Sequence, residues 1–498
     1  MINVAFIGAG RIADLHQLGY RNHPDARLYA VCDTDPGRLE ARKQQWNLEK
    51  PFTDYRTLLD DPAIGAVEVR TPCVWHVFVV AAAAAAGKHI ACQKPMTTSL
   101  ASADRMIAAA AKNAGKIFKV TEIYVTYPPI ALAKKLIDDG AIGDIVGMRI
   151  NYISGPEGGW NVEAKTLEQQ VRIASRGFGL ETFDHGHHEW ATAWYLTGEA
   201  ERVGAWVDTL NGIVDGPATV MWKGRGNKRY GIADFMFCPE MTIPSKYYSN
   251  DELYQVLGTK GVIHINRGTG DLYPLPTVSH FDGTNWTHYN DIESDWASGF
   301  VHSTRNFIAA IKGEAEPLLT PAQGREILRF ALAIMQAAGE RREVYLDEEH
   351  HRFPRLYAWR RTRAERKDCI VGPARQAQAQ RTTGHAKYAA QAHDLTLALP
   401  NRFNAAAAGQ WECSIALKLT GEAGTPDQTF GLAVRDGALE VLPNAYPADA
   451  DLSLEVRAGT WAAILLGKKR IDMAIFQGQI RYEGKVEKAL PLRNAFGL

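Results

Sequence analysis

The sequence has no CxxC pair: its six cysteines, Cys32, Cys73, Cys92, Cys238, Cys369 and Cys413, are scattered over 498 residues. That spacing argues against a disulfide framework and predicts reduced, buried thiols. Charge of one sign is lacking as well. Fifty-six lysines and arginines balance 56 aspartates and glutamates, so no overall field draws the chain to nucleic acid or to an anionic membrane. The apolar stretch "VFVVAAAAAAG" at 77–87 falls well short of the ~20 residues that cross a bilayer and reads as a buried Ala-rich helix. A basic leader with a small-residue cleavage site is missing too, so a soluble, cytoplasmic protein is expected. What is present, 46 % hydrophobic and 22 % charged residues, suits globular domains, two to four of them at this length.

"MINVAFIGAGRIADLHQ" runs from an apolar strand through Gly8, Ala9, Gly10, Arg11, Ile12 and Ala13 into a helical pattern. This is the strand–turn–helix setting of a dinucleotide fingerprint. Gly8 permits the tight turn, Gly10 lets a pyrophosphate approach, and Ala13 allows close helix packing. A second strand, "ARLYAVCD", ends on Asp33, about 20 residues on, where a ribose-binding carboxylate belongs. Asp33 would repel a 2′-phosphate, which favours NAD over NADP, although Arg38 lies nearby.

Further strands and helices alternate through "IGAVEVRTP", "GKHIACQKP" and "KIFKVTEIY". That rhythm predicts an α/β class with a doubly wound parallel sheet, whose ligands sit at the carboxyl ends of the strands. Those ends carry Gly8, Asp33, Thr71, Pro72, Gln93, Lys94 and Glu122. Lys94, just before Pro95, is aimed at the cofactor crevice as an acid or base.

"FDHGHHEW" (183–190) concentrates three histidines and two carboxylates. Removing hydride from an alcohol carbon requires that the hydroxyl proton leave too, and histidine is a base of suitable strength. If Gly186 precedes a helix, Asp184 and His188 are four apart and share a face, so Asp184 can orient His188. A metal needs three or four convergent ligands. His185 and His188 can share a face but His187 cannot, and no Cys/His pair has the right spacing, so no metal is expected. Packing or helix-start hydrogen bonding is expected of His185 and His187.

In order and spacing, "GAGRIADLH" (8–16), "TPCVWH" (71–76), "AGKHIACQKP" (86–95), "AKKLIDDGAIGDI" (133–145), "FDHGHHEW" and "VLGTKGVIHI" (256–265) resemble the glucose–fructose oxidoreductase/inositol dehydrogenase (Gfo/Idh/MocA) family. The resemblance covers roughly residues 1–350. It implies a Rossmann domain (1–123), followed by an α+β domain (124–354) whose open sheet faces the nicotinamide and often forms an oligomer interface. It also implies dehydrogenase or reductase activity on a secondary alcohol of a sugar, cyclitol or related compound. The family's E-K-P lysine falls on Lys94, and its D-x-G-x-H motif on Asp184, Gly186 and the catalytic His188. Arg11, Ile12, Thr71, Pro72 and His76 fall within the matched cofactor segments. Gln93 stands where the family usually has Glu.

The loop "SGPEGGW" (154–160), with Trp160, reads either as a sugar platform or as an ordinary loop. Its flank from Lys165 to Arg176 adds Arg172 as a candidate substrate contact. Tyr124 and Tyr127 line the same cleft or belong to the core.

The stretch 355–391 is basic, then rich in Ala and Gln. Without an aromatic-rich module it reads as a linker rather than an RNA-binding arm. From 392 to 498 a small α+β unit resembles the sterol carrier protein type 2 superfamily in Asp436-Gly437, "ADADLSLEV" and "GQIRYEGKVEKALPL". The resemblance implies a lipophilic ligand, or a unit that only dimerises or caps. The chain therefore reads as an NAD-dependent, homo-oligomeric oxidoreductase acting on a carbohydrate-like substrate. Redox-neutral glycoside cleavage by transient oxidation is one alternative, and a non-catalytic lipid carrier is another.

Overall fold

The computed structural model describes residues 1–160, 178–210, 214–226, 228–348, 385–422, 424–471, 474, 479–484, 488 and 491–497. Arg172, Cys369 and most of the basic stretch lie outside the described residues.

Six strands, β1 (Ile2–Ile7), β2 (Ala26–Cys32), β3 (Lys50–Phe52), β4 (Ala66–Val69), β5 (His89–Gln93) and β6 (Phe118–Thr121), form one sheet in the order β3-β2-β1-β4-β5-β6. Every pair is parallel. Central parallel strands are covered on both faces and must be apolar along their length, and β4 and β6 are buried throughout. Two charged exceptions each have partners. Glu68 meets His16, Tyr20 and Arg70, while Lys119 donates to Ser303 and Asn306. Burial without such partners would cost several kcal/mol.

Helix starts follow their caps. Asp35 and Ser99 accept from the backbone N–H three residues on, and Thr320 with Gln323 forms a reciprocal box over the helix Pro321–Glu340. Each cap contributes about 1 kcal/mol.

The Rossmann layer is completed by chain that follows the second sheet. Helix Ala297–Lys312 supplies the partners of Lys119. It also lies so close to the first helix that a Cβ on Gly19 would stand 2.5 Å from Thr304 Oγ1. Val120 N–H donates to Leu319 O at 3.0 Å, and Gly324 sits against Val120. The two units thus share a core.

The second sheet has nine strands: β7 (Ile145–Ser154), β8 (Ala200–Val207), β9 (Ala218–Gly224), β10 (Tyr230–Phe237), β11 (Asn250–Gly258), β12 (Val262–Ile265), β13 (Val278–Phe281), β14 (Trp286–Tyr289) and β15 (Val344–Tyr345). Their order is β14-β13-β12-β11-β7-β10-β9-β8-β15. Alternation decides its faces. Val220, Trp222, Ala233 and Phe235 point inward, whereas Met221, Tyr230 and Met236 point outward and are exposed. Helix His187–Thr197 covers the inner face. Its Trp190, fully buried, has ring centroids 5.4 Å from Phe235 and 5.3 Å from Phe330, and that anchor sets the position of "FDHGHHEW".

The C-terminal unit has β16 (Cys413–Thr420), β17 (Gln428–Arg435), β18 (Ala438–Pro443), β19 (Leu452–Arg457) and β20 (Ile480–Gly484), in the order β18-β17-β16-β19-β20. Helix Ala458–Leu465 packs on it, with buried Trp461 donating to Thr396 Oγ1 at 2.9 Å. The turn Ala386–Gln391 packs on the same helix, so the described tail of the basic stretch joins this unit.

Candidate active site

At the end of β1 the chain turns at Gly8, whose φ is +104° and where a Cβ would lie 2.6 Å from Arg70 O. Only glycine fits there. Among the described residues nothing lies within 4 Å of a Cβ built on Gly10, which leaves an open shelf. Asp33, closing β2, accepts from Ala9 N and Asp35 N, each at 2.9 Å. Arg38 stands 3.5 Å from its Oδ2. Thr71 Oγ1 is buried without a hydrogen-bond partner among the described residues. A glycine shelf, a carboxylate at the second strand end and an orphan hydroxyl fit a dinucleotide.

The other expected cofactor residues divide. Arg11 places its guanidinium 4.6 Å from the centroid of Trp160, Ile12 packs on the core, and Pro72 precedes helix Cys73–Ala85. His76 braces two strand ends: Nε2 lies 2.7 Å from Thr71 O, and Nδ1 lies 3.1 Å from Pro95 O and from Met96 O. Burial lowers its pKa. Gln93 joins buried His16, Nε2 to Nε2 at 3.0 Å, while its Oε1 accepts from Lys94 N at 2.8 Å.

Lys94 Nζ donates to Asp184 O at 2.9 Å and lies 3.9 Å from Asp184 Oδ1. His188 Nδ1 lies 2.5 Å from Glu122 Oε1. This corrects the expected pairing: Asp184 holds Lys94, and the carboxylate that orients His188 is Glu122, which was expected at the cofactor. Both members of that pair are buried. Burial pushes the Glu122 carboxyl up, and burial followed by the Lys94 charge drives His188 well down, so the imidazole is neutral. Tyr124 N–H donates to the same Glu122 Oε1 at 3.0 Å, so that oxygen acts as an acceptor and the His188 proton faces it from Nδ1. Nε2 has no hydrogen-bond partner among the described residues and keeps its lone pair.

Tyr124 stacks on His188 at 4.3 Å, is fully buried, and shares a hydrogen bond with Thr269 Oγ1 at 2.8 Å. It backs the histidine rather than lining the cleft. Tyr127, equally buried, donates to Ser294 O at 2.7 Å. Trp160 stands edge-on to Tyr247 and Tyr248 at 5.3 and 5.6 Å. Its indole therefore ties the glycine turn to the second domain, where an open sugar platform had been one expectation.

Gly186 allows the close approach behind "FDHG", where a Cβ would meet Thr182 O at 2.5 Å. His187 points its Nδ1 at Phe183 O, and burial drops its pKa to about 4. His185 lies 2.9 Å from Glu252 Oε1 and 3.6 Å from Glu189 Oε1. Burial opposes its charge, but the two carboxylates outweigh burial and raise it to about 9. Glu252, Tyr248 and Trp296 were not singled out from sequence. The acidic pair entering the strand pattern "NDELYQVLG" was the one available sign for Glu252.

Residues 2–121 match the oxidoreductase family with NAD-binding Rossmann fold (GFO_IDH_MocA). Residues 130–264 match the GFO/IDH/MocA C-terminal domain, and 397–497 the SCP-2 sterol transfer family. The scyllo-inositol 2-dehydrogenase (NAD(+)) of Bacillus subtilis is 34% identical over 356 residues, 70% of this chain and 96% of that protein. The chain belongs to the Gfo/Idh/MocA oxidoreductase family. It is thus an NAD-dependent enzyme of the class acting on CH–OH groups.

Levoglucosan dehydrogenase of Pseudarthrobacter phenanthrenivorans is 30% identical over 217 residues, 42% of this chain, and the match spans only 54% of that protein. The 2,7-anhydro-N-acetylneuraminate hydratase of Mediterraneibacter gnavus is 28% identical over 389 residues, covering 70% of this chain and 97% of that one. A solved levoglucosan dehydrogenase in complex with NADH and levoglucosan shares the fold, with TM-score 0.58, 22% identity and coverage of 70% and 100%. No described helix is long and apolar enough to cross a membrane.

Proposed function

We propose that this enzyme oxidises a secondary alcohol of a sugar, cyclitol or glycoside-like substrate. The carrying observation is a His188 Nε2 left without a partner among the described residues and within the field of Lys94, whose ammonium is bonded to the turn that launches the His188 helix. The dinucleotide supplies the hydride acceptor. His188 Nε2 takes the hydroxyl proton, and Glu122 stabilises the imidazolium that forms. Lys94 has three donors and commits one to Asp184 O, so the others are free to hold the substrate oxygen as negative charge develops. Asp184 fixes Lys94. Arg11 and Trp160 form the wall between cofactor and substrate.

A second reading, transient oxidation with elimination and return of the hydride, is favoured by the similarity to a protein named a hydratase rather than a dehydrogenase. Solvent deuterium entering the carbon beside the transient ketone, without net NADH, distinguishes it.

A homo-oligomer is proposed through the outer face of the nine-stranded sheet, where Trp206, Met221 and Tyr230 border a groove of about 1370 Å³. Exposed aromatics of this density mark interfaces. An apolar ligand is proposed for the C-terminal unit, on the support of the sterol-transfer match. Native mass spectrometry for bound dinucleotide, followed by a polyol and glycoside panel read by nicotinamide absorbance, tests the main proposal. Absence of dinucleotide binding defeats it.

A further inference from the structure

His185, Glu189 and Glu252 come together from two elements: the turn and first helical residues of "HGHHE", and β11. His185 Nε2 is 2.9 Å from Glu252 Oε1 and 3.6 Å from Glu189 Oε1, and one ligand atom from each residue falls within 4.8 Å of the others. Neighbouring ligands around a cation with ~2.1 Å bonds stand roughly 3.0–3.5 Å apart; the two histidine–carboxylate separations are close to that spacing, and a small inward shift of the glutamates would bring all three atoms to it. Both glutamates are fully buried, and His185 keeps 14% of its side chain exposed, which leaves one open side.

The second observation is an unpaired atom. Glu189 Oε1 is buried with no hydrogen-bond partner among the described residues. The single proton that His185 Nε2 can carry is directed to the nearer Glu252, so among the described residues Glu189 Oε1 keeps only the longer 3.6 Å ion-pair contact with His185. Meanwhile the outer oxygens are anchored. Tyr254 O–H donates to Glu189 Oε2 at 2.5 Å, and Thr269 N–H donates to Glu252 Oε2 at 2.6 Å. Each carboxylate is held from behind and presents its other oxygen inward, the arrangement by which outer hydrogen bonds orient metal ligands. Asn250 Nδ2 lies 2.5 Å from Glu252 Oε1 and 3.3 Å from His185 Nε2. Turned over, that amide would offer an oxygen as a fourth donor.

We infer that His185, Glu189 and Glu252 bind one divalent first-row transition cation beside the catalytic histidine. One imidazole with two carboxylates suits Mn²⁺, Fe²⁺ or Zn²⁺ and neutralises the 2+ charge, whereas Mg²⁺ and Ca²⁺ favour oxygen alone. The His185 and His188 ring centroids are 5.1 Å apart, so the ion would sit next to the base and leave remaining positions for water or a substrate oxygen. The sequence pattern concealed this site, because the third ligand is 63 residues beyond Glu189.

The test uses the full chain, stripped with a chelator and dialysed. Mn²⁺ alone is titrated and followed by electron paramagnetic resonance, and Zn²⁺ alone by calorimetry. Bound metal is counted by elemental analysis. One equivalent is expected, with affinity falling at least ~10-fold in Glu189→Gln and in Glu252→Gln, each checked for folding by circular dichroism. Failure of the wild-type chain to take up either Mn²⁺ or Zn²⁺ overturns the inference, whatever the variants do. So does uptake that a folded Glu189→Gln leaves unchanged. Because the readout is metal bound, the result is independent of which alcohol, if any, is oxidised.

Discussion

The Glu122 carboxylate lies 2.5 Å from His188 Nδ1, joining the end of β6 to a helix 66 residues away. That one contact directs Nδ1 of the proposed base to a carboxylate and leaves Nε2 without a hydrogen-bond partner among the described residues. Replacing Glu122 with Gln keeps the shape but supplies an amide that can donate to Nδ1, moving the proton to Nε2. Glu122→Gln should lower kcat by about 100-fold or more with KM for NAD little changed. Steady-state NADH formation measures it, and a loss within twofold would show that Glu122 does not set the tautomer.

Gln93 is matched to a neutral His16. Burial lowers the His16 pKa, Nδ1 faces Glu68 at 2.8 Å, and Nε2 accepts from the Gln93 amide. Gln93→Glu would set two acceptors against each other until a proton is taken up. The variant should be destabilised by about 1–3 kcal/mol at pH 8 and less at pH 5, as protonation relieves the clash. Denaturant midpoints at the two pH values check this; equal losses at both would contradict it.

Glu68 gives acid sensitivity with a definite sign. Burial alone would raise its carboxyl, but the His16 Nδ1–H hydrogen bond, the Arg70 charge and the Tyr20 hydroxyl outweigh burial and hold it down at about 2. A depressed carboxylate contributes stability that is present above its unfolded pKa near 4.5 and lost as pH falls through about 2. The contribution is at most about 3 kcal/mol. Unfolding midpoints from pH 6 downward should show the wild-type chain losing this advantage over a folded Glu68→Gln. A constant difference would refute the assignment.

Legibility from sequence followed chain distance. The parallel sheet, the glycine turn and Asp33 were readable because each depends on residues within about 30 positions, where periodicity and turn chemistry operate. Lys94 and His188 were singled out through motif resemblance. The partner of His188 was not, because Asp184 is four residues away and shares a predicted helix face, whereas Glu122 is brought in by the sheet. The roles of Tyr124 and Trp160 turned on which side of His188 and of Arg11 each ring falls, a matter of packing that composition does not encode. The return of helix Ala297–Lys312 onto the Rossmann layer was hidden for the same reason.

Lys94→Ala should bind NAD with unchanged stoichiometry yet lose at least ~100-fold in turnover, since the lysine is proposed to meet the developing charge on the substrate oxygen. Calorimetry with NAD alone separates this from a cofactor defect. Wild-type turnover in the variant would remove Lys94 from the chemistry.

The central claim is that His188 Nε2 takes the proton that accompanies hydride loss. Its most direct measurement is single-turnover formation of reduced nicotinamide by His188→Ala holding saturating NAD, with and without added imidazole. The account predicts binding of NAD as in wild type, a rate reduced by at least ~100-fold, and partial recovery with imidazole. An undiminished burst of reduced nicotinamide in the variant would contradict it.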